Sequence, residues 1–437
     1  MLRSTAGDVH PPLHYFMAQF LYHLLGDRGV TYHLTGFIPY AVIVIICCTV
    51  IKKQFGKIPA FVVLTMSSLL NSAVRYNVEA RMYSLGALFV LIAYIAFRSI
   101  LQKNQLIHWV IFVIASLGAA YTHYYALISV AFFYAMIIPL AIKEKAYRKG
   151  LVISYIVTII GYLPWLPVLL NSYSDTAGDW WLQQIPSLKK CVLFLLDYKW
   201  LVIVTCIILA VFFVNQLELV KIDYSPKESL FDRIDLTVDL PGKKVITGDM
   251  YWIITGLVSL AGTVAVGLGL SYLVRPFFVA RYLFPLSSVL YLMIGYCVSK
   301  MKWPVFWGGL LIIAVLWFSI PAYIHTYRKE DNLNKQTEVL LSKIHPEEDA
   351  LLLSNNSHLP WTLFEYYFPK NEHTKYIKKL SDDELDGSFE NVWLFWTEEL
   401  DESSEEIIDA KQYSCDKVHE GYFANSKYYY VYKLSHR

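Results

Sequence analysis

The amino-acid sequence predicts a polytopic α-helical membrane protein that ends in a soluble α/β domain. Of the 437 residues, 56% are hydrophobic and only 17% are charged, whereas soluble proteins carry about 25% charged residues. Apolar runs of about 20 residues recur, long enough to cross a hydrocarbon core of about 30 Å. Residues 1–324 have a charge balance of +11 and residues 325–437 one of −9. We therefore predict a membrane domain at 1–324 and a soluble domain at 325–437.

Hydropathy predicts ten membrane helices in the first domain. They lie near residues 30–51, 58–75, 84–101, 106–122, 124–142, 151–170, 200–218, 250–273, 282–299 and 304–324. The connections alternate in basic content, with 16 Lys and Arg residues in one set and nine in the other. By the positive-inside rule the richer set is cytoplasmic. The segments predicted to face the outside are 1–29, 76–83, 121–125, 171–199, 274–281 and the whole C-terminal domain.

The two ends of the chain show different patterns. Ten spans place both ends outside, so we expect a further membrane helix before residue 1, with residues 11–26 lying in the membrane interface. In the C-terminal domain, helical spacing is present at 331–344 and 403–410. Strand-like patterns occur at 350–353, 392–396 and 428–434.

Ionisable residues collect in the loops that are predicted to face the outside. Such groups are costly at membrane depth and are functional-site candidates by default. Asp8 and His10 stand directly before Pro11 and Pro12, which fix φ and start a helix well. A carboxylate at this place accepts free backbone N–H groups of the helix. Two interpretations of Asp8 therefore stay open, a helix cap and an active-site residue.

Glu79 and Arg81 occupy alternate positions of a short loop, so both side chains can enter one cavity. An exposed Glu–Arg ion pair is one interpretation, and it would contribute only about 0–1 kcal/mol. In the other, Arg81 binds a phosphate group through two parallel N–H···O bonds, which suit guanidinium geometry. The second interpretation is favoured because similar groups recur in the other loops on this side.

Two further loops on this side carry candidate residues. His123 and Tyr124 lie between the fourth and fifth predicted spans, where amphipathic side chains are common. Arg275 and Arg281 bracket the loop before the ninth span, and Tyr282 opens that span. Arginine near a helix end often extends towards the interface, and this interpretation stays open. Together the arginines would form a clamp for an anionic headgroup.

Three of these motifs resemble those of a known family, the GT-C glycosyltransferases. The most similar group is the bacterial relatives of the dolichyl-phosphate-mannose protein mannosyltransferases, which are glycosyltransferase family 39-like. The resemblance covers most of residues 1–324 and implies a GT-C-like fold with about ten membrane helices. The motifs that carry it are Asp8-Val9-His10-Pro11-Pro12-Leu13, Glu79-Ala80-Arg81-Met82-Tyr83 and Arg281-Tyr282-Leu283.

The resemblance implies a hexosyltransferase of the cell membrane that acts in cell envelope glycosylation. Such an enzyme moves a sugar from a polyprenyl-phosphate donor to an extracytoplasmic glycan, lipid or protein acceptor. Its partners would be the donor, the acceptor and the lipid bilayer, with no nucleic acid. Neither a metal nor another cofactor is required, because arginine can neutralise the leaving phosphate.

The resemblance also implies roles for individual residues. One carboxylate would take the proton from the acceptor hydroxyl as it attacks the anomeric carbon. The implied catalytic residues are Asp8, Glu79 and His10. The implied donor phosphate-binding residues are Arg81, Arg281 and Tyr282. Further pocket residues would be Tyr83, His123, Tyr124 and Arg275.

This sequence departs from the family pattern at its start. Family members have a first membrane helix followed by an acidic pair, and neither occurs here. We therefore expect a truncated gene model or an inactive fragment, in which Asp8 and Glu79 would be supporting residues. Two alternatives stay open: a non-catalytic protein that binds or translocates lipid-linked glycans, and a glycan polymerase or ligase that uses a diphosphate-linked donor.

Overall fold

The computed structural model divides the chain into two compact units, Met1–Ile320 and Pro321–Arg437. It describes residues 10–175, 184–216, 221–222, 234–235, 248–345, 348–354, 367–368, 373–377, 379–381, 383, 385, 389–423 and 427–437.

The first unit is built from helices. They are α1 (Leu13–Leu25), α2 (Gly29–Phe55), α3 (Lys57–Leu69), α4 (Asn71–Val78), α5 (Tyr83–Lys103), α6 (Leu106–Ala120), α7 (Tyr124–Lys143), α8 (Lys145–Leu170), α9 (Leu188–Leu196), α10 (Lys199–Gln216), α11 (Gly248–Leu273), α12 (Ala280–Ser299) and α13 (Pro304–Leu341), the last of which continues into the second unit. Between α10 and α11 the sequence also forms a short antiparallel pair, β1 (Lys221–Ile222) with β2 (Ile234–Asp235).

Eight helices of the described residues are long and apolar enough to cross a membrane, namely α2, α5, α7, α8, α10, α11, α12 and α13. This confirms the predicted polytopic fold class, although two of the ten expected spans differ. The span expected at 58–75 is broken into α3 and α4, which meet at an angle of 73°. The span expected at 106–122 is α6, whose 15 residues extend about 22 Å and are shorter than the hydrocarbon core.

Helices α5 and α12 form the interior of this unit. In α12, 94% of the most apolar stretch is buried, whereas in α8 only 11% of the corresponding stretch is buried. Close packing against α3 depends on Gly295, because a Cβ at this position would stand 2.7 Å from the Pro59 Cα atom. Small residues of this kind let membrane helices approach closely.

An ion pair joins α5 to α11 at the end of α5 that is farther from Tyr83. Arg98 Nη2 lies 3.0 Å from Asp249 Oδ1, and the Arg98 side chain is only 8% exposed. The same nitrogen donates to the Tyr296 hydroxyl at 3.2 Å. The guanidinium carbon also lies 4.5 Å from the Phe55 ring centroid. Arg98 is therefore a buried structural residue, not an exposed loop cation.

The second unit contains a mixed five-stranded sheet. Its elements are β3 (Ala350–Ser354), β4 (Thr374–Ile377), β5 (Asn391–Trp396), α14 (Glu402–Ala410), β6 (Tyr413–Phe423) and β7 (Lys427–His436). The strand order is β4-β3-β5-β7-β6. The first three strands are parallel, and β7 runs antiparallel to both β5 and β6.

Apolar side chains cover both faces of this sheet. One face packs against Ile408 of α14 and the other against Leu340 of α13. The predicted strands at 350–353, 392–396 and 428–434 are present, as is the helix at 403–410, whereas β4 and β6 were not predicted. The separate helix predicted at 331–344 is wrong in its start, because α13 runs without interruption from Pro304 to Leu341.

Candidate active site

The loop between α4 and α5 carries Glu79 and Arg81 in a tightly held backbone. The Arg81 N–H donates to the Glu79 carbonyl at 2.7 Å. Helix α2 packs directly on this loop, and His33 Nδ1 lies 2.7 Å from the Val78 carbonyl oxygen. A Cβ at Gly36 would stand 2.6 Å from the Glu79 carbonyl oxygen, so only glycine permits this approach. The position of Glu79 is therefore set by α2.

The opposite end of α4 is held by Asp197, which follows α9. Both carboxylate oxygens of Asp197 lie 3.3 Å from the Ser72 backbone nitrogen, and they accept its N–H in the first turn of α4. Asp197 adopts φ 58° and ψ −39°, a conformation that costs about 1–2 kcal/mol for a residue with a Cβ. Burial raises the pKa of the Asp197 carboxyl, and the hydrogen bonds from Ser72 oppose that rise. This strained contact fixes the direction in which α4 leads to Glu79.

Helix α1 brings the His10-Pro11-Pro12 segment to the same place. The Leu13 N–H donates to the Tyr121 carbonyl at 2.9 Å, which joins α1 to the loop after α6. The His10 ring lies 6.4 Å from the His123 ring, measured between centroids. Asp8 and Val9 lie outside the described residues.

His14, in the first turn of α1, is buried. Its ring forms a hydrogen bond with the Ala80 carbonyl, in the loop between Glu79 and Arg81. Burial lowers the pKa of His14 to about 4, and the positive charge of Arg81 contributes to the shift. His14 is therefore neutral at physiological pH and ties α1 to the loop that carries Glu79.

His123 forms the centre of a ring of aromatic side chains. Its ring centroid lies 5.0 Å from that of Tyr282 and 5.8 Å from that of Tyr83. Its Nδ1 accepts the Tyr125 N–H at 3.1 Å, so the neutral ring carries its proton on Nε2. Burial lowers the pKa of His123 to about 3, with smaller contributions from His10 and Arg281.

Arg281 and Tyr282 enter this group from the start of α12. The Arg281 side chain donates a hydrogen bond to the Tyr282 hydroxyl, on which the charge of Arg81 also acts. The charges of Arg281, Arg81 and Glu79 all act on the Tyr83 hydroxyl. Two arginines and one glutamate, from the loop between α4 and α5 and from the start of α12, therefore act on one tyrosine hydroxyl.

The Glu79 carboxylate is incompletely paired within the described part of the chain. Its Oε2 atom is buried and accepts no hydrogen bond there. An unsatisfied buried acceptor costs about 1–3 kcal/mol, and such groups in folded proteins call for an explanation such as catalysis or a ligand. A carboxylate that faces a bound hydroxyl group would meet that requirement.

The structure brings most of the sequence-predicted site residues together in a group that we call the loop cluster. Its members are His10, His14, Glu79, Arg81, Tyr83, His123, Arg281 and Tyr282. Tyr124 is directed elsewhere, because its hydroxyl accepts a hydrogen bond from Trp165 Nε1 at 3.4 Å. Arg275 is partly buried in the loop between α11 and α12.

Sequence reasoning did not assign three residues that contact this cluster. Tyr125 stacks on Tyr282 with a centroid distance of 5.1 Å. Tyr76 packs on the edge of Tyr83, also at 5.1 Å. The third is His14, which lies in the first turn of α1, whereas His10 precedes that helix.

Comparisons with known proteins give one family model and several structures of similar fold. Residues 9–170 match the family model described as dolichyl-phosphate-mannose-protein mannosyltransferase. A crystal structure of ArnT from Cupriavidus metallidurans in the apo state is similar, with a TM-score of 0.54 at 11% identity, over 97% of this chain and 87% of that chain. The ArnT structure bound to undecaprenyl phosphate gives a TM-score of 0.50 at 10% identity, with the same coverage. A search of curated proteins gives no match.

At this level of identity the likeness to ArnT shows the fold, and it confirms the GT-C fold that the motifs implied. The chain is a multi-pass membrane protein with that fold.

Proposed function

We propose that this protein transfers a sugar from a polyprenyl-phosphate donor to an acceptor hydroxyl at the loop cluster. The observation that carries the proposal is the meeting of Arg81 and Arg281 with a buried, unpaired oxygen of Glu79. A similar crystal structure, of ArnT, holds undecaprenyl phosphate, which is the lipid product expected of such a reaction.

Arg81 and Arg281 bind the donor phosphate. Guanidinium groups pair with phosphate through short, charge-assisted hydrogen bonds. Arg281 hydrogen-bonds to the Tyr282 hydroxyl and the charge of Arg81 acts on it, so the phosphate would lie beside Tyr282. As the bond between the anomeric carbon and the phosphate oxygen breaks, the phosphate gains negative charge, and the two arginines stabilise it in the transition state.

Glu79 acts as the base in this proposal. The acceptor oxygen forms a bond to the anomeric carbon while its proton passes to the Glu79 carboxylate. The lipid phosphate leaves with the electron pair of the broken bond, so the sugar configuration is inverted. Asp8 is the second candidate base, because it precedes His10, whose ring lies near His123. The His123 ring stays neutral and orients the aromatic walls of the site.

The site and the C-terminal unit face the outside of the cell membrane in this proposal. Its support is the distribution of Lys and Arg among the loops, which is richer at the end of the bundle opposite to the loop cluster. An acceptor made of extracytoplasmic glycan, lipid or protein would approach from that side. The sugar would arrive already attached to its lipid.

The test measures sugar transfer from a polyprenyl-monophosphate donor in membranes that contain the protein. We expect Glu79→Gln to lower transfer by about 10²–10⁴-fold, the usual contribution of a general base. Arg81→Ala should lower it by about 10²–10³-fold through loss of transition-state stabilisation. Matched controls are Glu144→Gln and Arg28→Ala, whose side chains are exposed outside the loop cluster. The same comparison with Asp8→Asn identifies the base.

Donor binding is measured beside transfer, with polyprenyl phosphate as the probe. Arg81→Ala should weaken this binding at least about tenfold. Transfer retained within a few-fold in both Glu79→Gln and Arg81→Ala would overturn the proposal. Binding without transfer in the unaltered protein would identify a binding or translocating protein, and preference for a diphosphate donor would identify a polymerase or ligase.

A further inference from the structure

A second cavity lies at the end of α5 that is remote from the loop cluster. It has a volume of about 580 Å³. Its lining comes from α2, α5 and α6 and consists of Thr49, Val50, Lys53, Gln54, Ser99, Gln102, Lys103 and His108. Helix α5 runs from Tyr83 to Lys103 in 21 residues, a distance of about 30 Å. We call this space the α6 cavity, and it is separate from the proposed donor site.

The lining of the α6 cavity is basic and contains no carboxylate. Within the described residues, neither Lys53 nor Lys103 forms an ion pair. The positive charge of Lys103 acts on the His108 ring, and no opposing charge belongs to the lining. His108 Nδ1 is also buried without a hydrogen-bond partner in this part of the chain. An anion with several acceptor oxygens would balance the positive charge of the lining and satisfy these groups.

The exposed surface beside the α6 cavity favours a lipid over a free anion as the ligand. Helix α6 also has an apolar, exposed face that begins at Ile107, next to His108 in the sequence. Ile107, Ile111 and Ile114 on this helix are 55%, 39% and 61% exposed. Such residues on a membrane helix face acyl chains. A molecule with a phosphate at His108 and a hydrocarbon chain along α6 would fill both surfaces.

We propose that the α6 cavity binds the phosphate headgroup of an anionic phospholipid in the leaflet opposite to the loop cluster. Lys53 and Lys103 would pair with the phosphodiester oxygens, while His108 and the Gln102 amide hydrogen-bond to the headgroup. Basic cavities between membrane helices are suited to this role. The inference does not depend on sugar transfer.

The test is native mass spectrometry of the detergent-solubilised full chain with equal amounts of phosphatidylglycerol and phosphatidylcholine. The double variant Lys53→Gln/Lys103→Gln removes two charges from the cavity. The control Lys143→Gln/Lys145→Gln removes two exposed charges from the same end of the bundle, outside the cavity. We expect the unaltered protein and the control to retain phosphatidylglycerol, with affinity about 30-fold lower in the cavity variant. Thermal unfolding checks that both variants are folded.

Equal loss of phosphatidylglycerol in both double variants would overturn the proposal, because it would reveal general surface attraction. So would equal binding of the two lipids by the unaltered protein. A third arm adds inorganic phosphate or glycerophosphate at millimolar concentration. Displacement of the lipid by either compound at low millimolar levels would identify a site for soluble phosphate instead.

Discussion

Single side chains determine the charge of the loop cluster. Burial lowers the pKa of His123 to about 3 and that of His14 to about 4, so both rings are neutral near pH 7. The fixed charges are then those of Arg81, Arg281 and Glu79, which leave a net positive site. That balance suits a phosphate-bearing donor and does not depend on the protonation of His14 or His123.

The lowered histidine pKa values predict a loss of stability in acid. The unfolded chain binds a proton on each ring below about pH 6.5, whereas the folded chain does not until about pH 3–4. Stability is therefore fully present above pH 6.5 and falls as the pH is lowered. At pH 5 His123 alone should cost about 2 kcal/mol. Thermal unfolding in detergent should show a lower Tm at pH 5 than at pH 7.5.

His123→Gln should reduce this difference in Tm by about half, since His14 still contributes. His23→Gln is the control, because His23 is exposed on α1. If His123→Gln kept the full difference in Tm, titration of the buried ring would not explain the acid sensitivity.

From the sequence, the loops that form the loop cluster could be predicted better than the individual residues within them. The motifs named Glu79, Arg81 and Arg281, which the structure brings together. Tyr124 was chosen instead of Tyr125 because adjacent tyrosines give no information on helical phase. The start of α7 directs Tyr125 to Tyr282 and Tyr124 to Trp165, and only packing between helices decides which of the two enters the cluster.

Contacts between helices hold these loops in place. Helix α2 lies against the Glu79 backbone at Gly36, and Asp197 holds the start of α4 from a position 125 residues away in the sequence. The sequence at 58–75 is mostly apolar and predicts one regular span. The break after Leu69 was not predictable, because the partner of the α4 N-terminus comes from a distant loop.

Gly36→Ala should impair transfer by displacing the Glu79 backbone. The added Cβ would stand 2.6 Å from the Glu79 carbonyl oxygen, so one of the two must move. A shift of about 1 Å in a catalytic group costs about 10²-fold in rate. The measurement is sugar transfer, with Gly29→Ala on the same helix as control, since a Cβ at Gly29 would meet nothing within 4 Å. Equal activity of the two variants would contradict this role.

Replacement of one partner of the Arg98–Asp249 pair should lower the stability of the protein. Arg98→Met leaves Asp249 with Lys300, at 3.8 Å, and with the hydrogen bond from Tyr296, and breaking a buried pair costs about 3–5 kcal/mol. The lower end applies here because Asp249 is 34% exposed. Thermal unfolding should show most of the stability regained in Arg98→Met/Asp249→Leu. The control Lys335→Met removes an exposed pair with Asp331 and should change stability by less than about 0.5 kcal/mol. A double variant no more stable than Arg98→Met would contradict the assignment.

The distribution of Lys and Arg among the loops predicts how the whole molecule is oriented in the membrane. In a background with its native cysteines replaced by serine, Ala80→Cys should react with a membrane-impermeant thiol reagent in intact cells. Lys145→Cys, at the other end of the bundle, should react only after permeabilisation. Both positions are exposed. Native Cys415, retained alone, should also react from outside. Protection of Ala80→Cys in intact cells would reverse the predicted orientation.

The fold class followed from composition and hydropathy because membrane helices need long apolar runs. The C-terminal unit was harder to predict. Strand β6 contains charged residues along an edge of the sheet, and β4 has only four residues, so neither gives a clear alternating pattern. Helix α13 continues through polar residues at 325–335, past the predicted domain boundary, because helices outside the lipid need no apolar run.

Helix α5 also links the protein to the thickness of its membrane. It is buried, spans about 30 Å, and has the proposed sugar-transfer site at one end and the α6 cavity at the other. A thinner bilayer creates hydrophobic mismatch, which bundles accommodate by tilting or by thinning lipid around them. Tilting helix α5 changes the depth of both of its ends in the membrane together. Acyl-chain length in reconstituted vesicles would thus act on the two sites at once.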